Sequence, residues 1–135
     1  MAVRTRASGF RASGNWEYKN FSVTLSSSAT PVSVLPINAG KTYNLLGFRI
    51  VGVFSTGASG MLSPAVISLC ADNAELVPLW VCEKNAYEGL SYLESAEFGD
   101  GLELPTGDDL RIKTDVPFSG GGVLDITGTI WGRIG

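Results

Sequence analysis

The chain contains no histidine, which excludes Ser-His and Cys-His catalytic pairs, histidine-ligated zinc and histidine pH switches. Cysteine is nearly as scarce. Cys70 and Cys82 alone supply neither a disulfide framework nor the spacing of a zinc site. Charged residues make up only 17% of the chain and the formal net charge is −3, so the domain as a whole offers no electrostatic footprint for nucleic acid. Long apolar runs are also missing: the longest, 43–54, includes Arg49 and is too short for a membrane-spanning helix. The opening Met-Ala-Val-Arg-Thr-Arg has no apolar core of a secretory signal, so no export by that route is expected.

What is present describes one folded domain. At 135 residues and 44% hydrophobic, the chain is long enough to bury a single core and too apolar to remain disordered. Glycine, serine and threonine together account for 40 of the 135 residues, a composition of turns between short strands. Charge is unevenly placed. Residues 1–41 carry Arg4, Arg6, Arg11, Lys19 and Lys41 against Glu17, whereas residues 72–109 carry ten acids against Lys84. Such a division suits either a solvated surface or a basic arm that docks on an acidic face of a neighbouring copy or partner. The first 15 residues show no helical or strand period and repeat Arg-Ala-Ser-Gly at 6–9 and 11–14 around Phe10. They are expected to form a flexible N-terminal arm, 1–15, ahead of a β-sandwich domain, 16–135. Phe10 would be the arm's anchor, with Arg4, Arg6 and Arg11 as its clamps on a neighbour.

Beyond the arm, strands and turns alternate. Trp16 and Tyr18, then Phe21, Val23 and Leu25, form two alternating runs whose phase slips near Lys19-Asn20, predicting a bulge or a break between two strands. A short strand at 32–35 precedes a long one at 43–54. That long strand is apolar on both faces: Leu46, Phe48, Ile50 and Phe54 on one, and Tyr43, Leu45, Val51 and Val53 on the other. It therefore sits centrally, or a partner covers it. Strands 65–70 and 76–82 form a hairpin. Pairing Cys70 with Leu76 puts Cys82 opposite Pro64 and separates the thiols far beyond disulfide reach, so both read as buried or interfacial. The same register gathers Val66, Pro78 and Trp80 on one apolar face. Pro78 cannot donate to a ladder, which marks an edge strand and a candidate subunit interface. Residues 83–91 read as a loop or one helical turn, 92–98 as a strand, and Gly99-Asp100-Gly101 as a turn before a short extended piece at 102–104. Strands at 110–116 and 123–134 complete an all-β pattern, a single-domain antiparallel β-sandwich or jelly roll of about eight strands.

No catalytic constellation emerges. Carboxylates cluster at Glu94, Glu97, Asp100, Glu103, Asp108 and Asp109, but Glu94 and Glu97 project to opposite faces of one strand and do not make a glycosidase pair. No calcium-loop pattern is complete. Gly120-Gly121-Gly122 joins two strands, so it is a hairpin turn and not a phosphate cradle. The expected protein is not an enzyme and needs no cofactor or metal. The aromatic residues Trp16, Tyr18, Trp80, Tyr87, Tyr92 and Trp131 serve either packing or sugar stacking. Trp131, which shares a strand face with Thr127, Thr129 and Arg133, is the candidate for a glycan.

The short strands closing on Gly99-Asp-Gly-Leu, Gly107-Asp-Asp-Leu-Arg-Ile and Gly122-Val-Leu-Asp-Ile-Thr-Gly-Thr-Ile-Trp-Gly, behind a basic arm, resemble small virion proteins of tailed bacteriophages. The similarity is to capsid decoration or cement proteins and to head or fibre accessories. It implies a virion structural protein, made in the host cytoplasm, that stabilises a capsid as a homo-oligomer, with a trimer expected. Its partners would be itself and a major capsid or other virion protein, without membrane or nucleic acid. The arm residues and the Val66/Pro78/Trp80 face would supply the contacts. Two alternatives stand beside it: a carbohydrate-binding sandwich or fibre tip, and a coat protein that forms a shell. Three arginines are few for the nucleic-acid contacts of the second.

Overall fold

A computed structural model describes residues 15–135, and every regular element in them is a strand. The eight strands are β1 (Asn15–Leu25), β2 (Val32–Leu35), β3 (Tyr43–Thr56), β4 (Ala65–Ala71), β5 (Ala74–Cys82), β6 (Ser91–Glu103), β7 (Leu110–Thr114) and β8 (Val123–Ile134). They form two four-stranded antiparallel sheets in the orders β1-β8-β3-β6 and β2-β7-β4-β5. Only β4 and β5 are joined within one sheet; every other connection crosses between sheets. This is a jelly roll. Arg4, Arg6, Phe10 and Arg11 lie outside the described residues.

The inner faces meet in one core. Leu25, Leu45, Phe48, Ile50, Phe54, Leu124, Ile126 and Ile130 from the first sheet face Ile67, Leu69, Leu110 and Ile112 from the second, all buried. Each such side chain contributes about 1.5–3 kcal/mol on burial. Aromatic edges close the ends: Phe54 meets Phe118 with ring centroids 5.3 Å apart, and Phe48 meets Phe98 at 5.9 Å.

The pairing departs from the sequence reading at four places. Strand β1 is unbroken and keeps one register with β8 from Asn15↔Ile134 to Leu25↔Leu124. The hydropathy slip is therefore a change of face and not a bulge: Phe21 and Leu25 point into the core while Trp16 and Tyr18 point out. Strand β3 is central, one of the two places its apolar character left open, but it bulges between Leu45 and Gly47. The extra residue flips the phase, so Tyr43 and Leu45 join Phe48, Ile50 and Phe54 inside, and the two-face division expected for 43–54 is overturned. In the β4–β5 hairpin, two register shifts place Cys82 opposite Ala65, not Pro64, and Trp80 opposite Ile67. Trp80 thus leaves the expected Val66/Pro78 face and turns inward. There its ring stacks on Tyr92 of the other sheet, centroids 5.6 Å apart and 3° from parallel. It lies flat there because Gly52 has no side chain: a Cβ at residue 52 would come within 2.6 Å of the indole. Finally, Gly99-Asp100-Gly101 does not end a strand. It loops out within β6, whose ladder to β3 resumes at Leu102↔Leu45 after Glu97↔Gly47.

Other features agree with the sequence. Strand β5 is an edge, with Pro78 exposed on it opposite Ser68. Val66 pairs with the 57% exposed Val81 on the outer side. Both cysteines are free and buried. Residues 83–90 form turns without a helix.

Candidate functional site

The irregularities in β3 and β6 coincide, and together they shape the most structured feature on the outer surface. Across the ladder between Leu45↔Leu102 and Gly47↔Glu97, β3 carries one residue in excess and β6 carries four, 98–101. The looped-out segment is held by Asn44, whose side-chain amide donates to the Asp100 carbonyl at 3.0 Å. Gly101, at φ +91°, permits this approach, since a Cβ there would overlap the Asn44 side chain.

The displaced strands leave a groove of about 680 Å³ lined by Trp16, Leu46, Glu97, Phe98, Gly99, Asp100 and Arg133. A second depression of about 460 Å³ shares Asp100 and Arg133 with it and adds Glu103. The groove therefore crosses one end of the outer sheet, from β1 over β8 and β3 to β6.

Beside it lies an aromatic ledge. Trp16 is 62% and Tyr18 71% exposed. Tyr18 stacks on Trp131 with centroids 6.0 Å apart and planes 17° from parallel. Trp131 lies against the sheet because residue 47, directly opposite in the ladder, is glycine; a Cβ there would overlap the indole. Arg133 packs its guanidinium 5.1 Å from the Trp16 ring centroid, a cation–π contact. Along the same face, Thr129 pairs with Arg49 in the ladder, and its hydroxyl donates to Asn20 at 2.6 Å. Trp131 shares its face with Thr127, Thr129 and Arg133, as its strand period predicts.

The remaining acids do not assemble a reaction centre. Glu94 opposes the inward Ile50 and Glu97 opposes Gly47 on the outer face, so they cannot flank one bond. Asp72 and Asp109 are occupied in a turn clip. Asp109 Oδ1 accepts from the Ile37 N–H and Asp72 Oδ1 from the Asp109 N–H, each at 2.8 Å. Arg111 approaches both carboxylates, at 3.4 and 3.7 Å. Desolvation, with Asp72 nearby, raises the pKa of Asp108. Among the described residues no cluster of three or more acids and cysteines is arranged to hold a metal ion, and no helix is long and apolar enough to cross a membrane.

Sequence reasoning singled out Trp131 but missed the groove. Leu46, Phe98 and Asp100 meet only through the paired irregularities, which no local pattern announces. The exposure of Trp16 and Tyr18 had a signal: their phase is opposite to that of Phe21, Val23 and Leu25.

No family model and no curated protein sequence matches the chain. In fold, it is similar to a chain of the cyanophage Pam1 capsid asymmetric unit, with a TM-score of 0.51 at 18% identity, over 95% of this chain and 92% of that one. A weaker likeness, TM-score 0.42 at 10% identity, covers 90% of this chain and 91% of a Bacillus endospore appendage protein of disulfide-linked pili. Another, TM-score 0.31 at 15% identity, covers 90% of this chain and 37% of a chain of infectious bursal disease virus, Gx strain. At these identities the likeness is one of fold.

Proposed function

We propose that the protein is a virion structural protein that stabilises a capsid through oligomeric contacts, as a decoration or cement protein does, and that it is not an enzyme. The observation that carries this reading is the near full-length fold likeness to a chain of a cyanophage capsid, in an architecture much used by viral capsid domains. The surface supports it. An exposed aromatic ledge around Trp16 and Tyr18 is the composition of an interface core, where tryptophan, tyrosine and arginine dominate binding energy. Val66 and Val81 on the opposite sheet, beside the edge strand β5, offer a second, smaller contact.

The native mass of the purified chain tests the oligomeric part, with a closed trimer expected. A monomer at every concentration up to the millimolar range would overturn it. The virion part is tested by immunogold labelling: antibodies against the chain should decorate the outside of virus particles from its source, and unlabelled particles would refute it.

The stacked Tyr18–Trp131 pair favours one further reading, a carbohydrate-binding sandwich or fibre tip, because jelly rolls also serve as lectins and exposed rings stack on sugars. Saturable binding on a glycan array, lost in Trp131→Ala, would favour that reading over the first.

A further inference from the structure

The groove at the end of the outer sheet is apolar in its floor and acidic along its β6 wall. Leu46 and Phe98 supply the apolar surface and Glu97 and Asp100 two negative charges, while the cation of the lining, Arg133, is packed on the Trp16 ring. Neither acid forms an ion pair among the described residues, where the ion pairs join Arg111 to Asp72 and Asp109. The whole of β6, 91–103, holds Glu94, Glu97, Asp100 and Glu103 with no lysine or arginine. Among the described residues it is also a 13-residue edge strand with no neighbour on its outer side, longer than proteins normally leave bare. Both features call for a basic, partly apolar occupant.

The chain carries such a segment next to the groove. Residues 1–14 contain Arg4, Arg6 and Arg11 and no acid, with Phe10 between the last two. They enter the domain at Asn15, the first residue of β1, one position before the groove-lining Trp16. Three strand spacings separate β1 from β6 in this sheet, or about 14 Å. The six residues from Phe10 to Trp16 reach at most about 20 Å, enough to bring Phe10 to Leu46 and Phe98. A tethered segment also needs no partner concentration, since its effective concentration is about millimolar.

We propose that this groove is the docking site of the chain's own N-terminal segment, residues 4–11, with Phe10 seated against Leu46 and Phe98 and the arginines on Glu97 and Asp100. The site differs from the Val66/Val81 contact on the opposite sheet and stands independently of any role in a virion.

A spin label tests it in the full chain. Cys70 and Cys82 are fully buried, so a nitroxide reagent reacts at an introduced Ser8→Cys alone. Isotope-labelled, spin-labelled protein is diluted into an excess of unlabelled chain, so that only intramolecular effects register. The expected result is loss of amide peak intensity at 46 and 97–100, with none near Val81. Phe10→Ala, or Glu97→Lys with Asp100→Lys, should restore that intensity. An even or absent loss overturns the proposal. So does a loss that appears only when spin label and isotope are on different molecules, which would assign the groove to the arm of a neighbouring copy. Full retention of the effect in both variants overturns the assigned contacts.

Discussion

At the scale of single residues, the informative positions are those where a polar group is buried or a side chain is missing. The Tyr43 hydroxyl is buried without a hydrogen-bond partner among the described residues, and burial together with the Glu17 charge raises its pKa. An unsatisfied buried hydroxyl costs about 1–3 kcal/mol, so deleting it is neutral or favourable. Tyr43→Phe should leave the urea midpoint unchanged or raise it, and a clear loss would show a partner for this hydroxyl in solution. Burial pushes the Cys82 thiol up to about 11, with Asp115 acting the same way, and pushes Tyr92 up to about 12. Groups whose folded pKa is raised contribute stability below their unfolded value and lose it as pH climbs through the folded one. Stability should therefore be level near neutrality and fall from about pH 9, just above the unfolded thiol value, toward pH 11. Cys82→Ala should lower stability at neutral pH but flatten the thiol part of that slope, as chemical denaturation across the pH range will show. Gly47 and Gly52 carry no visible mark in the sequence; each is the flat place on which a tryptophan lies.

At the scale of elements, the turns are pinned as firmly as the strands. The Asp109 carboxylate joins the segment after β2, through the Ile37 N–H at 2.8 Å, to the start of β7. The Asp72 N–H donates to the Asp109 carbonyl, also at 2.8 Å, and ties in the β4–β5 turn. Asp109→Ala leaves the Ile37 amide unpaired in a buried setting, and the expected loss in urea unfolding is about 1–3 kcal/mol. Asp109→Asn keeps an acceptor oxygen and should lose less. Most strands were legible from alternation and turn residues. Strand β8 shows its inward Leu124, Ile126 and Ile130 directly, and Pro78 announces an edge. Most errors arose at irregularities, the exception being the break expected in β1, which keeps one register with β8. A bulge at Leu46 and two shifts in the β4–β5 ladder each invert the side-chain phase downstream; Gly47 and Pro78, residue types that accompany bulges, flank two of them.

For the whole molecule, the decisive asymmetry is between the two outer faces. The sheet of β2, β7, β4 and β5 shows Val66 and Val81 near one edge, whereas the other presents the ledge of Trp16, Tyr18 and Trp131 beside an acidic groove. Because Trp16 and Tyr18 are mostly exposed, the double variant Trp16→Ala/Tyr18→Ala should cost the fold no more than about 1 kcal/mol. The same variant should abolish assembly or partner binding that uses this face. Thermal unfolding and native mass read the two effects separately; unchanged assembly would move the interface elsewhere. By itself the sequence determined an all-β domain, most of its turns and its edge, narrowed the long strand to a central or a partner-covered place, and excluded histidine chemistry. Each of these follows from local alternation, backbone demands or composition. Only the tertiary structure decided which faces are buried, where Trp80 points and that a groove exists. Those depend on register, and register is set by pairing between strands distant in sequence, where one added residue exchanges inside for outside.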